Sequence, residues 1–369
     1  MKRLFSIAIV SIIALSTTAQ TDSTKKILKG SFDYNFYVDA YYSYDFNQPY
    51  SGDRPDFLFQ YGKNNAVSLN MVMARVGYTQ GNFSANLGLN TGNFPESNMS
   101  HEDPLMRMLY EANVSYRFFK KFEFTMGMFS SHMGFESALS YDNLLTSHSL
   151  ASEWTPYYLA GAKLEYMATE KLKFGVTVAN GNQSINENQG NTNKLLGLQA
   201  EWKPSENLTI NYSNMYYNDN PDTAKNMVFY NNLYATLTLI EKLDLVGGFD
   251  YAMINNDKAA TTNSLYVISV LARYKLTDKF AVAGRFEHYN DENNEFISTP
   301  LGFGFVTNSY SLNLDYSPVK NIKFRLEGRM FDNDSPTYRD DTDFDPNTST
   351  TLTYTTQNAN VLFSVQAKF

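Results

Sequence analysis

Strict alternation of apolar and polar residues recurs along this chain, and this two-residue period is the feature that most restricts its fold. In IKFRLEGRMF (322–331), the apolar residues Ile322, Phe324 and Leu326 alternate with charged ones. The same period appears in KLKFGVTVA (171–179) and SLNLDY (311–316). Successive side chains of a strand point to opposite faces, so each segment predicts a β-strand with one apolar and one polar face.

The connections between these segments alternate in length. The short ones, such as FFKKFE and LTDKFA, are only a few residues long and often contain lysine. The long ones are polar and rich in Asn, Asp, Gly and Pro, and they cover 46–65, 91–107, 132–156, 181–194, 218–226, 254–263, 291–302 and 333–356. Short periplasmic turns and long extracellular loops are typical of outer-membrane β-barrels.

We therefore predict an all-β fold, a transmembrane antiparallel up-and-down β-barrel that occupies residues 31–369. Sixteen strands are expected, at 31–44, 67–79, 82–90, 108–118, 122–131, 157–168, 171–180, 195–203, 207–217, 228–240, 242–253, 264–276, 279–289, 304–317, 321–332 and 357–369. The number becomes fourteen or eighteen if 46–65 or 132–156 is assigned differently. An even number places both termini on the periplasmic side.

Composition supports a barrel whose outer face meets lipid. The chain has 27 Tyr and 27 Phe but a mean hydropathy of −0.39. After the N-terminus, no run approaches the roughly 20 apolar residues of a membrane helix. A transmembrane barrel has this profile because only one face of each strand contacts lipid.

The N-terminus has the pattern of a secretory signal peptide. Lys2 and Arg3 precede an apolar run over 4–15, and Ala19 lies at the predicted cleavage site. We assign 1–19 to the signal peptide and 20–30 to an N-terminal periplasmic segment. Cleavage would leave 28 basic residues against 38 acidic ones, a formal net charge of −10.

This acidic balance disfavours nucleic acid as a partner. The absence of cysteine from the sequence excludes zinc–thiolate sites, disulfides and thiol nucleophiles. No cofactor is expected.

The C-terminal segment NVLFSVQAKF ends on an aromatic residue. In the predicted last strand, Val361, Phe363 and Phe369 share the apolar face. The last strand must pair with the first to close the barrel and remove its edges. Phe369 would then lie at the periplasmic interface, where aromatic girdles form, and it resembles the terminal signal that barrel-assembly machinery reads.

A barrel of sixteen strands is too wide for side chains to fill, so the interior should contain water. Alternation predicts these pore-lining residues: Arg75, Glu111, Arg117, Lys163, Glu165, Arg273, Arg285, Glu287, Lys323, Arg325, Glu327 and Arg329. Both signs are present, which predicts passage of small hydrophilic solutes with mild ion selectivity.

Three of these arginines lie on the predicted strands 279–289 and 321–332. Arg285, Arg325 and Arg329 could form a basic ladder along the pore wall, or they could form salt bridges with Glu287 and Glu327. The sequence leaves both arrangements open.

Loop 132–156 follows the fifth strand and is the most apolar of the long loops. It contains Phe135, Glu136, Asp142 and Trp154, together with several leucines. So apolar a segment should not lie bare in water. We expect it to fold into the barrel as a constriction loop, with capping of the mouth as the alternative.

Two further patterns carry weaker predictions. Asp341, Asp343 and Asp345 have a spacing that can chelate a divalent cation, although an acidic solvated loop is the simpler interpretation. The four histidines are scattered without metalloenzyme spacing, and no nucleophile elbow is present. His288 lies on an apolar strand face, where a lipase-like Ser–His pair would have to lie, and it is the one histidine that fits such a pair. Because no other catalytic pattern is found, we expect no enzyme activity.

The chain resembles the OmpL-like putative β-barrel porins of Gram-negative bacteria. The resemblance begins at FYVDAYYSYDFNQP (36–49) and RPDFLFQYGKNN (54–65), continues through WTPYYLAGAKLEY (154–166), and covers nearly the whole mature chain. The chain departs from the family pattern at GKNN (62–65) and at NGNQ (180–183), which lacks an expected tryptophan at position 182. The resemblance implies a pore in the outer membrane.

The predicted function is therefore passive diffusion of small hydrophilic solutes and ions through a water-filled channel. A substrate-specific channel and a non-conducting structural or adhesion barrel, plugged by loop 132–156, are the alternatives. The expected partners are outer-membrane lipid, lipopolysaccharide, the barrel-assembly machinery and a possible homo-oligomer, since general porins of this size are often trimers.

Overall fold

The computed structural model describes residues 29–345 and 352–369. The predicted signal peptide lies outside the described residues, as does most of the predicted N-terminal segment. None of the helices in the described ranges is long and apolar enough to cross a membrane.

Sixteen long antiparallel strands form one closed barrel, which confirms the predicted fold. In chain order they are β1 Ser31–Asp45, β2 Ala66–Gln80, β3 Phe83–Thr91, β4 Leu109–Phe118, β5 Phe122–Ser130, β6 Tyr158–Thr169, β7 Leu172–Ala179, β8 Leu195–Ser205, β9 Leu208–Tyr217, β10 Asn226–Ile240, β11 Leu243–Asn256, β12 Thr261–Lys275, β13 Phe280–Asp291, β14 Phe305–Val319, β15 Ile322–Asn333 and β18 Gln357–Lys368. A separate small hairpin, β16 Tyr338–Asp340 and β17 Thr353–Thr355, lies in the last long loop.

The helical elements are short and lie in the long loops. They are α1 Asn93–Asn98, α2 Leu150–Glu153 and the 3-10 helices Met106–Met108, Ser140–Asp142 and Asp222–Ala224. Ser149 caps α2 by accepting a hydrogen bond from the Ser152 backbone N–H.

The barrel closes where the last strand pairs with the first. Tyr37 lies opposite Lys368, and Asp45 lies opposite Asn360. The backbone of Phe369 extends the pairing, because Phe369 and Phe36 exchange both N–H···O bonds, at 2.9 and 3.1 Å. The predicted pairing of the last strand with the first is therefore present.

One predicted long loop is a tight turn. Residues 254–263 were expected to form a polar loop. Instead, β11 extends to Asn256 and β12 begins at Thr261, so only a four-residue turn lies between them. Cross-strand pairs such as Ile254 with Asn263 and Asn255 with Thr262 satisfy the backbone of the extra residues.

The two faces of the barrel differ as alternation requires. Large outward-facing side chains such as Phe32, Val270 and Leu312 are exposed where lipid would cover them. The inward face is charged and polar toward the short turns and apolar toward the long loops. There it forms a buried cluster with Phe57 and Leu150 from two long loops.

Candidate functional site: loop 132–156 across the barrel interior

Loop 132–156 leaves β5 and crosses the barrel interior. His132 donates from Nε2 to the Asn214 carbonyl on β9 at 2.9 Å, and Ser213 donates back to the His132 carbonyl at 2.8 Å. A Cβ at position 197 would lie 2.5 Å from the His132 ring, so Gly197 on β8 makes this close approach possible. The Gly134 N–H then reaches Asn232 on β10 at 3.2 Å.

On the opposite wall, Arg325 holds the turn of the loop. Its guanidinium donates to the carbonyls of Ser140, Asn143 and Leu144 at 2.7, 3.2 and 3.1 Å. Its Nε pairs with Asp315 at 2.7 Å, and the side chain is fully buried. A buried guanidinium with its donors satisfied is a strong, geometrically specific contact.

Two lysines contact the same turn. Lys323 Nζ donates to the Tyr141 carbonyl at 2.6 Å and lies over the Tyr141 ring. Lys368, on the last strand, pairs with Asp142 at 2.6 Å. The loop therefore reaches from β5 to the strand that closes the barrel.

The returning half of the loop lies on a network of buried ion pairs. Arg285 pairs with Glu287 at 3.0 Å and with Glu327 at 3.3 Å, and Arg329 pairs with Glu287 at 2.7 Å. Of the two arrangements that the sequence left open for these residues, the salt-bridged one is present. All four side chains are almost fully buried.

Backbone groups of the loop complete this network. The Ser147 carbonyl accepts from Arg285 at 2.6 Å, while the Ser147 N–H donates to Glu327 at 2.8 Å. The His148 carbonyl accepts from Arg329 at 2.9 Å, and the Leu150 N–H donates to Glu287 at 2.5 Å. Buried charges persist only where such partners compensate them, so the network and the loop depend on each other.

The remaining predicted residues of the constriction loop lie inside the barrel. Phe135 packs on Gly248 of β11 and contacts Tyr234. Glu136 accepts from the Ser149 N–H and hydroxyl, both at 2.7 Å. Trp154 is partly buried and packs against the apolar cluster at the long-loop end.

Loop 46–65 also enters the barrel, which alternation and loop length did not predict. The Phe59 N–H donates to Glu153 at 3.1 Å, and Gln60 Nε2 lies 2.9 Å from His148 Nε2. Tyr61 donates to the buried Asp39 of β1 at 2.7 Å. The aromatic residues at 57, 59 and 61 were the available signal, because a polar loop has no reason to carry three of them.

Two titratable groups lie between these loops. Burial lowers the pKa of the His148 imidazole to about 3, partly opposed by its hydrogen bond with the Ser137 carbonyl. Burial raises the pKa of the Glu153 carboxyl from 4.5 to about 7, opposed by the bond from the Phe59 N–H. His148 is therefore neutral at pH 7, and Glu153 titrates near it.

Stability should depend on pH through Glu153. A carboxyl whose pKa is raised on folding contributes stability that is fully present below about pH 4.5 and is lost as pH rises through about 7. Between about pH 5 and pH 8, wild type should lose up to about 3 kcal/mol of unfolding free energy that Glu153→Gln retains. Urea unfolding of both proteins in detergent at each pH measures this; parallel pH profiles would contradict it.

The barrel wall away from this loop keeps its charges partly accessible. Lys163 and Lys173 each lie 3.3 Å from Glu165, and Glu201 pairs with Lys203 at 3.0 Å. Farther round the barrel, Asp244 pairs with Arg273 at 2.8 Å and with Lys275 at 3.8 Å. On this wall, defined as these residues of β6–β12, five cations face three carboxylates.

The other predicted pore-lining residues form a separate group on β1–β5. Arg75 pairs with both Asp33 and Glu111, and Arg117 pairs with Glu123 at 2.5 Å. Arg117 is largely exposed, whereas Glu111 is nearly buried. The structure thus divides the predicted set into a group covered by loop 132–156 and two accessible groups.

Open space remains beneath the loop. A cavity of about 270 Å³ lies between Phe135, Asp142 and Leu144 on one side and Thr209, Thr236 and Asp244 on the other. A second, of about 420 Å³, lies at the short-turn end and is lined by Arg273, Lys275, Asp315 and Lys323. Water and small solutes can therefore occupy the interior beside Asp244 of β11 and beside Arg273 and Lys275 of β12.

Two of the weaker sequence candidates, Asp341 and His288, have protein partners. Asp341 accepts from Arg339 and from the Tyr50 N–H at 2.8 Å. The described residues contain no group of three or more His, Cys, Asp or Glu placed to hold a metal ion. His288 faces outward with its ring nitrogens 3.0 Å from Asn308 and 3.4 Å from the Tyr266 hydroxyl.

A closed sixteen-strand barrel with an inward-folded third loop and a charged interior is the architecture of an outer-membrane channel. Solved structures share the fold. An anion-selective porin from Comamonas acidovorans aligns with a TM-score of 0.61 and 10% identity, over 92% of this chain and 100% of that one. In-vitro folded OmpT of Vibrio cholerae, in a trimer form, aligns with a TM-score of 0.59 and 11% identity, over 92% of this chain and 99% of that one. OmpF of Salmonella typhi, in complex with daunomycin, aligns with a TM-score of 0.59 and 12% identity, over 92% of this chain and 97% of that one.

Residues 31–369 match the model of the family described as "Putative beta-barrel porin-2, OmpL-like", and the chain belongs to this family. No curated protein matches the sequence. The protein is thus a porin-type channel of the outer membrane, and the family resemblance noted in the sequence is confirmed.

Proposed function

We propose that the barrel lets small hydrophilic solutes and ions diffuse passively along the β6–β12 wall, and that loop 132–156 narrows this path. The observation that carries the proposal is the contrast between the two walls. Arg285, Arg325 and Arg329 are buried under the loop, whereas the side chains of Lys163 and Lys173 each stay 24% exposed. The pore-lining role thus falls to the accessible residues of the predicted set.

The accessible wall should favour anions weakly. Five cationic side chains face three carboxylates there, and the sign of a pore's fixed charge sets its ion preference. Lysine side chains in a hydrated wall interact with permeant ions at long range, which makes the preference sensitive to salt.

Neutralising two lysines tests this proposal. Lys163→Gln with Lys173→Gln should shift the reversal potential under a KCl gradient toward cations, with little change in conductance, because three cations then face three carboxylates on this wall. Lys258→Gln, in the exposed turn between β11 and β12, is the matched control. A reversal potential identical to that of wild type would contradict the assignment of this wall to the pore.

A plugged, non-conducting barrel is the second candidate. It is favoured by the buried cluster at the long-loop end, where Phe57 and Leu150 pack against inward residues such as Phe305 and Phe331. An apolar constriction can block ions by excluding water. Discrete current steps from folded protein would eliminate this candidate.

Export and assembly follow from the two ends of the chain. We infer that the signal peptide directs export in a Gram-negative bacterium and that Phe369 is recognised by the barrel-assembly machinery. The backbone of Phe369 is hydrogen-bonded to that of Phe36, while its ring is exposed. An exposed ring suits a signal that the assembly machinery recognises before or during closure of the barrel. Lipid and lipopolysaccharide would cover the outer face, a homo-oligomer would bury part of it, and no catalytic role is proposed.

A further inference from the structure

A further cavity lies at the long-loop ends of β2–β6, and Glu136 lines both this cavity and the space of about 270 Å³ beneath the loop. It has a volume of about 190 Å³ and is lined by α1, by the start of loop 132–156 and by the strand ends. For comparison, an apolar protein cavity of about 150 Å³ can hold benzene. The space is therefore sufficient for a substituted single ring.

The apolar lining suits an aromatic guest. Four buried methionines contribute to it, namely Met71, Met99, Met128 and Met133. Thioethers are adaptable and make favourable contacts with aromatic rings. Phe94 and Tyr157, which meet edge to face with centroids 5.5 Å apart, add two aromatic surfaces.

The polar lining is unsatisfied. Among the described residues, Asn90 Oδ1, Asn98 Nδ2 and Glu136 Oε1 are buried atoms without a hydrogen-bond partner, and all three residues line the cavity. Glu136 Oε1 has one distant cation, Arg285 Nη1 at 4.0 Å. Buried polar groups are normally paired, so two acceptors and one donor left open at one cavity point to a bound molecule that supplies the complementary groups.

We propose that this cavity binds a monocyclic aromatic amine that also carries a hydroxyl group. The ring would lie among the methionines and Phe94, the ammonium group would donate to Glu136, and the hydroxyl would pair with the side-chain amide of Asn90 or Asn98. Binding here does not require that the barrel conducts, so this site is independent of the proposed function.

Calorimetric titration of the refolded full-length barrel with tyramine tests the site, with protein-free detergent micelles as the blank. We expect saturable binding of one tyramine per barrel, and at least tenfold weaker binding of 4-ethylphenol, which lacks the amine. No saturable heat from folded protein would overturn the proposal, as would equal affinity for the two compounds.

Two variants locate the binding. Ala138→Phe should fill the cavity, since Ala138 lines it, and Asn98→Leu should remove the unpaired donor; each should weaken tyramine binding at least tenfold. The control is Asn182→Leu, which removes another unpaired buried amide oxygen from a residue that does not line the cavity. Binding that survives Ala138→Phe in a folded barrel would show that tyramine binds elsewhere and would overturn the assignment.

Discussion

Replacing Arg325 by alanine should release the turn of loop 132–156 from the far wall and raise single-channel conductance several-fold. Arg325 alone donates to three carbonyls of the loop turn, and its removal leaves Asp315 buried without its cation. Loss of one partner of a buried pair costs about 3–5 kcal/mol, which exceeds what the contacts of Lys323 and Lys368 can offset. Planar-bilayer recording of the refolded variant measures the change.

Two comparisons make this result interpretable. Arg117→Ala removes another arginine of the predicted pore-lining set, one on β4 that pairs with Glu123 and has no hydrogen bond or ion pair to the loop among the described contacts, so its conductance should stay close to that of wild type. If Arg325→Ala folds poorly, Arg325→Met with Asp315→Asn removes the loop contacts without leaving a bare charge. Unchanged conductance in both Arg325 variants would mean that this loop does not limit the current.

Asp39→Ala should be the most destabilising single change in the barrel seam. The Asp39 carboxylate is fully buried and accepts from Tyr37, Tyr61, Asn70 and Ser364 at 3.1, 2.7, 3.0 and 2.6 Å. These donors come from β1, loop 46–65, β2 and β18, so one side chain joins the first strand, the last strand and an inward loop. We expect a loss of about 3–5 kcal/mol in unfolding free energy, because four buried donors lose their acceptor.

The control for this change is on the same strand. Asp33→Ala removes a carboxylate from the same face of β1, but Asp33 is largely exposed and, among the described residues, pairs with Arg75 alone, so the loss should stay below about 1 kcal/mol. Urea unfolding in detergent, with folding checked by heat-modifiable gel mobility, compares the two. Equal effects of the two substitutions would show that the seam network carries no special stability.

Strand positions could be predicted from alternation because each strand has one face in lipid and one in the barrel. The bounds agree within a few residues, and the largest departure is the β11–β12 turn, where polar residues such as Asn255 and Thr262 were taken for loop although they continue the ladder. A polar residue at the rim of a barrel is compatible with either a loop or the end of a strand, so periodicity could not distinguish the two.

The interior could be predicted only in part. Alternation identified Arg285, Glu287, Arg325 and Glu327 as inward-facing, but it could not show that a loop buries them, because burial depends on contacts between residues more than 130 positions apart. The rule that inward residues are polar also fails at the long-loop end. There, Val228 and Ile254 face inward and pack under the loops.

We expect this barrel to conduct and loop 132–156 to narrow it without sealing it. The most direct test is the single-channel current of the refolded wild-type protein in a planar bilayer, together with the reversal potential in a KCl gradient. Discrete steps with a weak preference for anions are the predicted result. Absence of steps from protein shown to be folded would contradict the claim and would identify the barrel as plugged.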